Sequence, residues 1–222
     1  MLRGNLSFDI AHLLAGSLVL LSFMQLYQYR LYALLNVYAL HALVLAASVG
    51  WQAFIQGAPH LYVTAVIALV FKAIIIPTAL HRIIVRLGIH REIETVVGVG
   101  PTMLLGMGLV ALSMVVMLRV TAAADPLARE DLAFALAVVL LGLLMMVTRR
   151  NAVSQIVGFM SLENGLILAA IGVKGMPLVV EMSIAFSVMV AFIIFGIFFF
   201  HIRERFDTLD VQYIETFRGD QR

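Results

Sequence analysis

Apolar residues gather along the chain in seven long runs, with few charged positions inside them and short polar segments between. The runs predict helices at about 8–27, 31–55, 61–85, 96–118, 131–149, 152–173 and 177–201. At roughly 20 residues each, they are long enough to cross a bilayer as helices. The alternating pattern and regular turns of a transmembrane barrel are missing. The predicted fold is therefore all-α, a polytopic membrane protein with seven transmembrane helices. Most connections are short, as between antiparallel neighbours. The longest, "RVTAAADPLARED" at 119–131, carries a proline and mixed charges. The first run follows Arg3 and Asp9, is long enough to remain as a span, and has no small-residue cleavage site after it.

Composition closes the main alternative. Of 222 residues, 63% are hydrophobic and 13% charged, and the mean hydropathy is +1.04; a soluble domain of this size needs far more surface charge. There is no cysteine, so the chain holds neither an iron–sulfur cluster nor a nickel–iron site through thiolates of its own. Any redox cofactor belongs to another subunit. The histidines do not predict a haem either, because His41 and His81, the best-placed pair, differ in expected depth by more than a turn. No metal site is predicted.

The formal charge is only +2, but its placement is informative. One set of connecting segments holds Arg30, Arg82, Arg86, Arg91, Arg149, Arg150, Arg203, Arg205, Arg218 and Arg222, while the other holds Arg3, Arg119, Arg129 and Lys174, diluted by Asp125, Glu130 and Asp131. Positive charge favours the cytoplasmic side, which predicts the N-terminus outside and the C-terminus inside. Tyr27, Tyr29 and Tyr32 fall at the first inner boundary, where an aromatic belt is expected. The basic inner loop with His81 and His90 needs no further explanation. No internal repeat suggests a stand-alone secondary transporter.

Ionisable groups inside spans mark candidate sites, because each costs about 3 kcal/mol or more at mid-membrane. Lys72, in "ALVFKAIIIPTAL", is at the centre of the third helix, too deep to snorkel. Burial disfavours a charged ammonium and a nearby carboxylate favours it, so a lysine whose partner changes protonation is a proton-switching element. A permanent structural pair with a neighbouring helix or subunit is the alternative. Glu163, followed by Asn164 and Gly165, is at a similar depth in the sixth helix. Such a carboxyl is tolerable when neutral and useful when charged; it also serves as a plain hydrogen-bonding group between helices. Glu181 lies nearer the outer face, within reach of headgroups, and His41 is placed either to relay protons or to bridge helices. Asp9 and His12, three apart on one face, either line an outer mouth or are explained by helix capping and interfacial solvation. Gly98, Gly100, Gly106 and Gly108 permit close packing of the fourth helix.

In the segment after Arg203, Phe206, Leu209, Tyr213 and Phe217 recur at helical spacing among acidic and polar residues. An apolar stripe of this kind lies on a membrane or docks to a partner. The acidic excess disfavours anionic lipid and points to a partner-docking tail.

The stretch "TRRNAVSQIVGFMSLENGLILAA", then "GMPLVVE", then a last helix and a tail ending "LDVQYIETFRG" resembles hydrogenase-4 component E, a seven-helix relative of the NuoK-type subunit of respiratory complex I and of the MrpC-type antiporter subunit. The likeness covers the whole chain in helix count, and its specific motifs cover about 148–218. It implies an N-terminal four-helix membrane region at 1–130, a NuoK-like three-helix region at 131–202 and a cytoplasmic tail at 203–222. It implies a non-catalytic subunit of a complex-I-like assembly in a bacterial or archaeal cytoplasmic membrane, of the group 4 [NiFe] hydrogenase or formate hydrogenlyase type. Partners would be antiporter-like and NuoH-like membrane subunits and peripheral hydrogenase subunits carrying the Fe–S and [NiFe] centres; no nucleic acid is involved. By motif, Glu163 takes the place of the first intramembrane glutamate of NuoK-type chains and Glu181 is the candidate for the second. A structural scaffold within such a complex, and a multisubunit cation/proton antiporter without redox chemistry, remain as alternatives.

Overall fold

The computed structural model describes residues 2–87, 93, 96–120 and 126–172, together with 189, 193 and 196. Two compact units divide the chain, Met1–Ser187 and Val188–Arg222. In the second unit the three described residues are helical. The seventh predicted helix otherwise lies outside the described residues, as do Glu181 and the stripe of Phe206, Leu209, Tyr213 and Phe217.

The described residues of the first unit form helices joined by short connections. Its helices are α1 (Leu2–Tyr27), α2 (Leu31–Gln56), α3 (59–87), α4 (Val99–Val120), α5 (Pro126–Thr148) and α6 (Ala152–Gly172). Six helices among the described residues are long and apolar enough to cross a membrane, the architecture of a membrane-embedded protein. Most boundaries fall within a few residues of those predicted. The exceptions have local causes. α5 begins at Pro126, inside the stretch expected to be a connection, because proline at the first helical position loses no hydrogen bond and brings its φ pre-set. Between α2 and α3, Gly57 adopts φ 63° and returns its N–H to Ala53 O, and Pro59 opens the next helix.

α3 departs from regular geometry. It is α-helical over Pro59–Ile67, π-helical over Ala68–Ile75, and α-helical again over Ile76–Leu87. Ile76 donates to Phe71 O, five residues back. Pro77 has no N–H, and in an α-helix its ring would clash with the carbonyl four residues before it. The wider winding relieves that crowding one turn after Lys72. π segments are rare and recur at functional sites.

Two ends of the bundle can be told apart by their contacts. At one end, Ile93 N–H donates to Tyr29 O at 2.8 Å and Val96 N–H to Thr148 O at 2.9 Å, while the Tyr32 and His81 rings lie 4.7 Å apart. The α1–α2 turn, Ile93, Val96 and the α5–α6 turn therefore meet there, with Arg30, Arg149 and Arg150. At the other end, Trp51 Nε1 donates to Ser7 O at 2.9 Å, Gln56 Nε2 donates to Ile171 O at 2.8 Å, and His12 Nδ1 lies 2.9 Å from Asp131 Oδ1.

The core is built on α6, whose most apolar window is 61% buried, whereas that of α4 is 17% buried. α4 is thus peripheral and α6 central. The close backbone packing expected of the α4 glycines holds only at Gly106, where a Cβ would come within 2.9 Å of Phe23; Gly100 and Gly108 face open space. The tight seam is between α5 and α6. A Cβ at Gly142 would lie 2.6 Å from Leu162 N, and one at Gly165 2.8 Å from Val139 N. Only hydrogen fits at these positions.

Candidate functional site

α3 and α6 each bring a polar group to mid-helix on the face turned to the core, and these meet. Lys72 Nζ is 3.1 Å from Glu163 Oε2 and donates to Asn164 Oδ1 at 2.8 Å. Lys72 and Glu163 are each 2% exposed, Asn164 not at all. Adjacent residues on a helix point about 100° apart, and the lysine lies where both Glu163 and Asn164 are within reach. The π-helical winding is what sets Lys72 at this register on α3. An unpaired charge here is prohibitive, so each ion requires the other.

The chain of contacts continues. Asn164 Nδ2 donates to His41 Nδ1 of α2 at 3.0 Å. The other ring nitrogen, Nε2, is 3.2 Å from Ser22 Oγ of α1, and that hydroxyl donates to Leu18 O at 2.9 Å. His41 and Ser22 are buried as well. The donors fix the direction of every bond. An ammonium only donates, so the Asn164 carbonyl faces Lys72 and its NH2 faces His41. Nδ1 must then accept, which puts the proton of neutral His41 on Nε2, donating to Ser22. The result is one oriented file across four helices: Lys72, Asn164, His41, Ser22. With both nitrogens engaged, His41 has no free lone pair to give a haem iron. Among the described residues, no group of three or more histidines and carboxylates is placed to hold a metal.

Further polar residues line the arginine-rich end of the core. Ser161 Oγ donates to Gln25 Oε1 at 2.6 Å. Ser154 is fully buried on the same face of α6, seven residues before Ser161. Arg149, between α5 and α6, is 2% exposed and donates through Nη2 to Leu26 O. Burial pushes its guanidinium below the usual arginine range. Its neighbour Arg150 is exposed. Asn151 caps α6 by accepting from Val153 N–H at 2.9 Å, so part of the "RRN" motif is structural.

The structure therefore brings together four residues picked from the sequence, namely Lys72, Glu163, Asn164 and His41. Glu181 lies outside the described residues. Asp9 and His12 do not act together: Asp9 is exposed, and His12 turns to Asp131 at 2.9 Å and Glu130 at 3.6 Å on α5. Sequence reading missed Ser22, Gln25, Ser154 and Ser161, whose small or neutral side chains carry little signal inside an apolar run. It also took Arg149 for a surface charge; nothing in a tandem Arg–Arg says which one turns inward.

The chain is 28% identical over 217 residues to an uncharacterised protein, Rv0085, of Mycobacterium tuberculosis (strain ATCC 25618 / H37Rv), covering 96% of this chain and 99% of that one. No family model matches, and no solved structure matches.

Proposed function

We propose that this chain is a membrane-arm subunit of a complex-I-related, redox-driven ion-translocating complex of the group 4 [NiFe] hydrogenase or formate hydrogenlyase type, and that it contributes buried protonatable groups to a proton path. The observation that carries the reading is the Lys72–Glu163 pair, closed off from solvent and continued by Asn164, His41 and Ser22. A pair whose members hold each other charged is a two-state element: neutralising Glu163 frees Lys72 to release its proton, and recharging it reverses the step. Glu163 is the central carrier, Lys72 its charge partner, and His41 with Asn164 the link towards α1. Coupling works by population shift, with redox events elsewhere biasing the protonation of this pair. The redox centres belong to other subunits, since this chain has no cysteine. The likeness to hydrogenase-4 component E over 148–218 supports the choice of assembly, and Glu181 and the tail stripe are its remaining candidates for path and docking residues.

One observation favours a scaffold reading. Lys72 and Glu163 satisfy each other within a single chain, so the pair also serves to pin α3 to α6.

Purification of the tagged chain from its native membrane in mild detergent tests the assembly. The proposal expects antiporter-like and NuoH-like membrane subunits together with cysteine-rich peripheral subunits. Antiporter subunits without a redox arm would favour the antiporter alternative, and a chain that purifies alone would overturn the reading.

A further inference from the structure

The buried polar groups are distributed unevenly about the Lys72–Glu163 pair. Towards the arginine-rich end, where α1 ends and α6 begins, the core holds Gln25, Ser161, Ser154 and Arg149. Among these, Gln25 Nε2, Ser154 Oγ and Arg149 Nε and Nη1 have no hydrogen-bond partner among the described residues. Gln25, Ser154 and Arg149 are 1%, 0% and 2% exposed. Leaving a buried donor unsatisfied costs about 1–3 kcal/mol, and more for a charged one. Inside a membrane, internal water is the general remedy for such groups. Three residues with this deficit lie on one side of one ion pair.

The opposite half is different. Beyond Asn164, α6 buries Ile167, Leu168, Ala170 and Ile171, and α5 faces them with Ala135 and Val138. The buried hydroxyls there are Ser48, Thr64 and Ser113; Thr64 spends its proton on His60 O and Ser113 on Val110 O. His12 Nε2, at the far end of the bundle, also lacks a hydrogen-bond partner among the described residues, but it faces Glu130 at 3.6 Å beside Asp131, with the apolar layer between it and the middle of α6.

We propose that the Lys72–Glu163 pair communicates with one membrane face only, the arginine-rich face, through a water-filled branch lined by Ser161, Gln25, Ser154 and Arg149. The inference rests on the proton-path reading of the same pair and adds its sidedness. Spacing supports it: Ser154 and Ser161, seven residues apart, share one face of α6, with the Gln25 side chain hydrogen-bonded to Ser161. Asn164, three residues beyond Ser161 and next to that face, holds Lys72, so the branch reaches the pair through Asn164. Arg149 marks the mouth, where its positive charge repels other cations while water relays protons.

The absence of cysteine from this chain makes a sided labelling experiment clean once the tagged chain is separated from its partner subunits by denaturing purification before the label is read. Ser154→Cys, Ser161→Cys, Ser48→Cys and Thr64→Cys are each made in the full complex, and sealed native vesicles of both orientations are exposed to a membrane-impermeant thiol reagent. Labelling after denaturation reports the total thiol, so a variant that inserts poorly is recognised, and two positions on each side guard against loss of one. The expected result is reaction at Ser154→Cys and Ser161→Cys from the arginine-rich face alone, with none at Ser48→Cys or Thr64→Cys from either face. Labelling from both faces, labelling at the Ser48 or Thr64 positions only, or no labelling at Ser154 and Ser161 would overturn the proposal. The readout needs no turnover. If labelling follows the pattern while Glu163→Gln leaves translocation intact, the proton-path reading fails and the hydrated branch stands; the reverse result removes the branch alone.

Discussion

Lys72, on the π-helical turn of α3, and Glu163, at mid-height on α6, form an ion pair of 3.1 Å with both side chains shut off from solvent. The relationship is energetically asymmetric. The pair as a whole need add little stability, because desolvation offsets the attraction, but removing one partner strands the other and costs about 3–5 kcal/mol. Lys72→Met is therefore expected to lower the thermal stability of the solubilised protein sharply. Lys72→Met combined with Glu163→Gln should recover most of the loss. Melting curves of wild type, single and double variants in one detergent check this; a double variant as unstable as the single would mean that the two charges do not depend on each other.

The direction of hydrogen bonding fixes a tautomer. Because Asn164 spends its carbonyl on Lys72, its NH2 donates to His41 Nδ1, leaving the proton on Nε2. Nitrogen-15 spectra of histidine-labelled protein should show His41 neutral with Nε2 protonated. In Asn164→Leu the same resonances should shift, as Nδ1 loses its donor. A wild-type signal from the Nδ1-protonated form would contradict the oriented file.

Helix packing gives a contrast between glycines. A methyl group at Gly142 would meet the Leu162 backbone at 2.6 Å, whereas one at Gly108 meets nothing within 4 Å. Gly142→Ala should force α5 and α6 apart and destabilise by about 1–3 kcal/mol or more, while Gly108→Ala should leave the melting temperature near wild type. Equal effects at the two positions would show that the seam is not where the core is tightest.

Length and apolarity made most of the fold legible, because a bilayer leaves few options for a run of some 20 apolar residues. The positions of Lys72 and Glu163 were legible for the same reason: a charge deep in such a run must be accommodated. Their meeting was not, since helix rotation and neighbour identity leave no trace in a one-dimensional pattern. Pro77 was visible, but winding α3 into a π segment rather than kinking it depends on how the neighbouring helices hold it. Ser22, Gln25, Ser154 and Ser161 escaped notice because an isolated serine or glutamine costs little to place in a span. Gly98, Gly100, Gly106 and Gly108 drew attention to α4, yet there only Gly106 is closely approached, by side chains, and the close approach of backbone belongs to Gly142, Gly158 and Gly165, isolated glycines whose partners lie on another helix.

The central claim is that Glu163 carries a proton during turnover. Its most direct test is Glu163→Gln in the intact complex, with subunit composition first shown to be unchanged, measured in sealed vesicles for ions moved per redox turnover. The amide keeps the size and hydrogen-bonding capacity of the acid but cannot cycle a proton. The account predicts that translocation is lost, or that coupled turnover falls with it, in a fully assembled complex. Unchanged ions per turnover would contradict the account and leave Glu163 as a structural partner of Lys72.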